Sequence, residues 1–399
     1  MIDRLKRFRL PEAAPTPEEF EWLARVDKVA PTVVEHRDAA ERDREMPRVV
    51  YEELRDAGFP RMWVSREFGG EQASLTAGMV ALEALARLDA SVAWQIGVQG
   101  AIGRLSDYLP EQSSRRLFLD CDGFAVGGVK PSGLAEPVDG GYLLRGEWAM
   151  ASGSAHADWL VCTSLVCKDW KPVMTPQGPD IVMLYVPTSN VRLLDTWYTV
   201  GLRGTGSNHY QVDEQFVPEE LAVRKGRMVQ APPDRSSRAY PIGYFDFGPF
   251  TTAPVALGVA QDALDAFHVT AQAKTPSSGT QTLASSPVVQ ERFARAEIAV
   301  YSARLLLFEA ARQLEASGTA GEELSSLIRL ASVTVGEAAT AAVDTAYTLA
   351  GTTSMYATSR LERAFRDVNS VTKHIALSYT HFDTVGNYLL NSQPLVVRR

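Results

Sequence analysis

Cysteine is scarce in this chain of 399 residues: Cys121, Cys162 and Cys167 are the only three, and none forms a CxxC pair. A disulfide framework and a cysteine-built zinc site are both excluded by that count. Histidine is almost as rare, with six. No P-loop sequence occurs, and Gly204-Thr205-Gly206 lacks the third glycine of a dinucleotide fingerprint. A tight turn before a strand accounts for it better. Positive charge is also in deficit: the formal charge is −8 and the pI is near 5.4. That field disfavours nucleic acid and anionic membrane as partners, and the basic start from Arg4 to Arg9 is too short and too broken by Leu5 and Phe8 to reverse it. No uninterrupted apolar run has bilayer-spanning length, and no apolar segment follows the basic start. A soluble cytoplasmic protein is the expectation.

What is present falls into three segments with two periodicities. From about residue 16 to 120 the apolar residues recur at helical spacing, opened by Thr16-Pro17-Glu18-Glu19, which has the form of a capping box. Helices are expected over Val49 to Ala57, Thr76 to Leu88 and Ala90 to Leu109. Near residue 122 the pattern becomes short runs rich in Val, Tyr, Trp and Leu: Phe124 to Val129, Tyr142 to Trp148, Trp159 to Val166, Ile181 to Val186 and Tyr210 to Val217. Helical spacing returns near residue 250. One long helix is expected from Ser286-Pro287, a second over Leu330 to Leu349, and a last unbroken one from about Leu361 to Leu390. Lys274 to Thr282 reads as a loop. The expected domains are 1–121 (helical), 122–230 (β) and 231–399 (helical bundle).

The order and four motifs resemble the acyl-CoA dehydrogenase superfamily, which implies a mainly α fold with a central β-barrel-like domain and a C-terminal four-helix bundle. Val129-Lys130-Pro131-Ser132-Gly133-Leu134-Ala135 resembles the family's loop after its first strand. The run from Gly146 to Trp159 looks like the strand against the flavin ring. Gly201-Leu202-Arg203-Gly204-Thr205-Gly206-Ser207 matches the last β elements, and Leu361-Glu362-Arg363-Ala364-Phe365-Arg366-Asp367 the Arg-Asp segment of the last long helix. Dehydrogenases of the family need a carboxylate base. The two places the resemblance assigns to it hold Ile375 and Gly248, with Asp246 near the second. The phrase Ser152-Gly153-Ser154-Ala155-His156-Ala157-Asp158-Trp159 is closer to the flavin-dependent monooxygenase branch, and His374 stands where many of those enzymes place a histidine.

That branch implies a two-component enzyme. A separate reductase supplies reduced FMN, or FADH2, which reacts with O2 to a C4a-hydroperoxyflavin that hydroxylates a small, aromatic substrate. The absence of an Arg-x-x-Phe-Gly motif in Lys274 to Gln290 favours FMN. The resemblance makes Ser152 and His374 catalytic, Ser152 through a hydroxyl or backbone bond to flavin N5. His374 would orient or deprotonate the substrate, or assist the peroxide. Met150, Ser152, Ser154, Trp159 and Gln290 would hold the cofactor, and Gln99 and Asp246 the substrate, with no metal. His156 reads as structural. An N-oxygenase, an acyl-CoA dehydrogenase or oxidase, and a non-catalytic oligomeric binding protein remain open on the same fold. Successive apolar residues Leu305, Leu306, Leu307 and Phe308 exceed what one bundle face can bury, and a homotetramer is expected.

Overall fold

The computed structural model describes residues 15–121, 123–176, 178–229, 232, 243–277, 279–317, 320–392 and 395. The basic start from Arg4 to Arg9 lies outside them. The chain opens with helices α1 (Pro17–Asp43), α2 (Arg48–Asp56), α3 (Leu75–Leu88) and α4 (Ala90–Gly103). The capping box at Thr16 is formed reciprocally: Glu19 N donates to Thr16 Oγ1 at 3.2 Å and Thr16 N to Glu19 Oε2 at 3.0 Å. Helix α4 ends at Gly103, six residues before the apolar pattern does, and Arg104–Tyr108 continues as a 3-10 turn.

Seven principal strands follow: β1 (Phe124–Val138), β2 (Gly141–Ala151), β3 (Ala157–Lys168), β4 (Ile181–Pro187), β5 (Arg192–Leu194), β6 (Asn208–Pro218) and β7 (Ala222–Arg224). They form one mixed sheet in the order β7-β4-β3-β1-β2-β6-β5, in which β1 and β3 run parallel and the other pairs antiparallel. The stretch Val129 to Ala135, read above as a loop, lies inside β1. The register against β3 jumps between Gly128 and Gly133, so the polar and proline residues there form an irregularity in a strand that continues. Trp148 locks the sheet's inner face, donating to Thr163 O at 2.6 Å and stacking on Tyr210.

Among the described residues, five longer helices follow the sheet: α5 (Pro249–Ala273), α6 (Pro287–Ser317), α7 (Glu322–Ala350), α8 (Arg360–Val371) and α9 (Thr380–Asn391). Helix α7 packs on α5, α6 and α8, and α5 also packs on α3 and α4. With its following turn, Glu322–Met355 is long and apolar enough by length and composition to cross a membrane, yet most of its apolar stretch is buried inside the fold. Gly97 lets α4 approach α5 closely, since a Cβ there would lie 2.2 Å from Thr251 O.

The last helix is not continuous. Helix α8 stops at Val371, Ile375–Leu377 is a 3-10 turn, and α9 starts only at Thr380. Local polar groups compete with the helix here: Thr372 Oγ1 donates back to Val368 O, His374 Nδ1 accepts from Ala376 N, and Ser332 Oγ on α7 donates to Ala376 O. Helical spacing runs through the segment because both pieces are helical, but His374 lies in the break between them.

Candidate active site

Helix α4 is the floor of the site. Asp89 caps it, accepting from Val92 N at 3.0 Å, and the helix is buried on nearly every side between the sheet, α3 and α5. It therefore presents Trp94, Gln95 and Gln99 to groups that arrive from both other segments. Trp94 Nε1 donates to Ser152 Oγ at 3.2 Å, and the same indole meets His374 edge-on, with ring centroids 5.4 Å apart at 79°. Residues separated by more than two hundred positions are thus joined through one tryptophan.

Ser152 follows the end of β2 on a sharply turned backbone. Met150 has φ 67° and Gly153 φ 81°, both left-handed, and a left-handed methionine is a strained position of the kind that collects at functional sites. The Met150 side chain is 63% exposed, an uncovered apolar surface beside a serine that is itself buried. Strand alternation does not govern this stretch, because the strand ends at Ala151 and Ser154–His156 is a 3-10 turn. Ser152 Oγ lies 2.6 Å from Ser207 Oγ, which lies 2.6 Å from Thr205 Oγ1, which donates to Leu202 O at 2.8 Å.

The turn carrying Thr205 and Ser207 is held by the Arg-Asp segment of α8. Asp367 Oδ1 accepts from Leu202 N at 2.7 Å, while Arg366 Nη1 bonds Val200 O at 2.6 Å and Glu41 of α1 at 2.7 Å. Burial pushes the Asp367 carboxyl up to about 7, against the Leu202 bond, with buried Asp89 adding to the rise. The half-buried His374 imidazole is pushed down to about 4 because its surroundings disfavour the cation. It is neutral at ordinary pH. Its Nδ1 accepts from Ala376 N at 3.3 Å, so the ring hydrogen belongs on Nε2.

Two family models match the chain: acyl-CoA dehydrogenase, N-terminal domain, over residues 16–115, and acyl-CoA dehydrogenase, C-terminal domain, over residues 250–379. An indole-3-acetate monooxygenase of Pseudomonas putida is 28% identical over 361 residues, covering 89% of this chain and 90% of its own. The oxygenase component of an FADH2-dependent resorcinol hydroxylase of Rhizobium sp. is 28% identical, covering 96% of this chain and 97% of its own. Among solved structures, the 3-HSA hydroxylase of Rhodococcus sp. RHA1 superposes with a TM-score of 0.84 at 27% identity, covering 92% and 96% of the two chains. The chain belongs to the acyl-CoA dehydrogenase superfamily, in its flavin-dependent monooxygenase branch.

The structure of this monooxygenase gives the carboxylate that a dehydrogenase reading needs a different task. Asp246 accepts from Ser325 Oγ at 2.6 Å and lies 3.7 Å from Arg329, so both its position and its charge are taken up. Ile375, at the other place for a base, is an exposed apolar side chain next to His374.

The remaining residues singled out by sequence separate clearly. Ser154 is buried and donates to Gly206 O at 3.3 Å, beside Ser152. Gln99 is buried with its carbonyl oxygen accepting from Ala125 N at 2.8 Å, which ties α4 to the start of β1. Trp159 donates to Cys121 Sγ under the Arg116 guanidinium, and among the described residues no hydrogen bond or ring contact joins it to Trp94, Ser152 or His374. Gln290 stands at the exposed start of α6, its amide on Ala284 O. His156 spends its ring on Met46 O at 2.7 Å and on the face of Tyr51, fastening β3 to α2. Sequence reading gave Trp94 and Gln95 no role, and named Thr205 and Ser207 only as part of the 201–207 motif. The bonds Trp94–Ser152, Gln95–Gly204 and Ser152–Ser207 are non-local and leave no trace in spacing.

A flavin suits this corner. Gln95 Nε2 is committed to Ser91 O and Gly204 O, which leaves its Oε1 buried without a partner against the turn at Gly153. Ser152 Oγ, two residues after exposed apolar Met150, keeps one acceptor position once the Trp94 N–H and Ser207 are counted, which fits a flat, N–H-bearing aromatic ring.

Proposed function

We propose that this monooxygenase receives reduced FMN, or FADH2, from a separate reductase and uses it with O2 to hydroxylate a small aromatic substrate between Ser152, Trp94 and His374. The observation that supports this reading best is Trp94, which joins the serine of the β segment to the histidine of the last helical segment. When bound, the reduced flavin supplies two electrons to O2, so that one oxygen atom enters the substrate and the other leaves as water. Met150, Ser152 and Ser154 would hold the ring. The buried walls around Trp94 would exclude water, which favours transfer of oxygen over its loss as hydrogen peroxide.

In this reading His374 orients the substrate. Its Nδ1 lone pair is occupied by Ala376 N–H, so the neutral ring offers Nε2–H to a substrate oxygen and has no free lone pair with which to take a proton. Gln99 supports the start of β1, and Asp246 supports α7, rather than touching substrate. Four copies assembled through the C-terminal helices complete the proposal.

The test supplies the purified protein with reduced FMN or FADH2 from a reductase, in air, together with phenols and indoles. Hydroxylated product should account for a substantial share of the flavin oxidised. Flavin oxidation that yields only hydrogen peroxide across the panel, with bleaching of bound flavin by an acyl-CoA, would instead identify a dehydrogenase.

A further inference from the structure

We infer that the buried hydroxyl chain Thr205–Ser207–Ser152 makes Ser152 an obligate hydrogen-bond acceptor, and that this direction selects reduced over oxidised flavin. The inference rests on the proposed function in one respect only: that a flavin N5 edge meets Ser152.

Each hydroxyl has one hydrogen to give. Leu202 O can only accept, and Thr205 Oγ1 lies 2.8 Å from it, so the hydrogen between them is the threonine's. Thr205 has then none left for Ser207 at 2.6 Å, and Ser207 must donate to Thr205. By the same step Ser152 must donate to Ser207, again at 2.6 Å. All three side chains are buried, so water does not reset the direction. Ser152 Oγ already receives the Trp94 indole N–H and keeps one lone pair with no hydrogen to offer.

The neighbouring donors are spent as well. Ser152 N donates to Met150 O at 3.1 Å, Gly153 N to Thr205 O at 2.9 Å, and Ser154 Oγ to Gly206 O at 3.3 Å. What the side chains of the corner offer a ligand is therefore the Ser152 lone pair, since Gln95 Oε1 is sealed inside the protein. A reduced isoalloxazine carries N5–H, which satisfies such an acceptor. An oxidised one turns an N5 lone pair toward it, which is repelled and left unpaired. Asp367 and Arg366 hold the 200–207 turn and so keep the chain in register.

The experiment compares dissociation constants for oxidised FMN, by fluorescence quenching, and for photoreduced FMN, by anaerobic titration. Wild-type protein should favour the reduced form. Ser207→Ala and Thr205→Val each release the Ser152 hydrogen, so oxidised FMN should tighten and the preference should drop by roughly tenfold. Thr205→Ser restores the donor to Leu202 O and should keep the wild-type ratio. An unchanged ratio in Ser207→Ala and Thr205→Val overturns the inference, provided circular dichroism shows both folded. Should neither fold, the wild-type ratio decides, and equal or tighter binding of oxidised FMN overturns it. Failure of the wild-type protein to bind flavin in either state would instead remove the functional reading on which it rests.

Discussion

Trp94 stands edge-on to His374, centroids 5.4 Å apart, while its indole nitrogen holds Ser152. A ring in that position does two separable things: it packs the turn between α8 and α9, and it supplies one hydrogen bond to the end of β2. Trp94→Phe keeps the first and removes the second. Product formed per flavin oxidised should fall about two- to tenfold, with hydrogen peroxide making up the difference, and thermal stability should change little. Trp94→Ala should also destabilise the fold by about 3–5 kcal/mol through the cavity it leaves. Full coupling in the phenylalanine variant would reduce Trp94 to a packing residue.

Asp367 gives a pH dependence whose sign can be worked out. Its carboxyl is raised from the ordinary range to about 7, by burial first of all, so the folded state holds a proton that the unfolded chain has released. Between about pH 4 and pH 7 the folded form binds more protons, and stability falls as pH rises through that window. Asp367→Asn keeps an acceptor for Leu202 N and cannot ionise. Its melting temperature should match that of the wild type near pH 4 and exceed it near pH 7.5. A constant difference at all pH values would show that the carboxyl does not titrate there.

The surface of the C-terminal helices bears on assembly. Val288 and Ile298 on α6, Leu389 and Leu390 on α9, and Met355 and Tyr356 in the turn after α7 are all exposed in the single chain. Exposed apolar side chains in such number on connected helices mark an association surface. Light scattering should give a mass near four times 43.6 kDa at micromolar concentration. Charged substitutions at Ile298 and Leu390 together should dissociate it, and a stable wild-type monomer would contradict the proposal.

The fold was legible because its periodicities are long and its capping signals local. The Thr16 box, the strands around Trp148 and Trp159 and the long helices α6 and α7 each declare themselves within a window of a few residues. The break at His374 was not legible, since it depends on Ser332 reaching across from α7 and on a ring nitrogen accepting from Ala376. The same holds for the site. Resemblance singled out Ser152 and His374, but Trp94 carries no motif, and Thr205 and Ser207 acquire meaning only when β2 and the 202–207 turn meet. Asp246 looked like a free carboxylate because Ser325 and Arg329 lie some eighty residues away in sequence.

His374 can be tested as an orienting group against the alternatives of a base and a bystander. Its imidazole is depressed to about 4 by burial, so it stays neutral from pH 5 upward, and the coupling of wild-type protein should show no inflection near 6.5. His374→Ala removes the Nε2–H donor and should cut product per flavin oxidised by roughly a hundredfold, the magnitude expected of a positioned polar group in such a site. Flavin binding should be nearly intact, because the hydroxyl chain at Ser152 does not include it. His374→Gln carries an amide N–H and should recover part of the yield; a base could not be replaced in that way. His381 sits beside the same turn with its own pKa lowered, mainly by burial and further by the charge of Arg329, and no contact joins it to Trp94. His381→Ala should therefore cost much less. Equal losses in His374→Ala and His381→Ala would mean that the turn as a whole matters and that His374 meets no substrate. Loss of yield in His374→Gln as deep as in His374→Ala, with a wild-type inflection near 6.5, would make it a base.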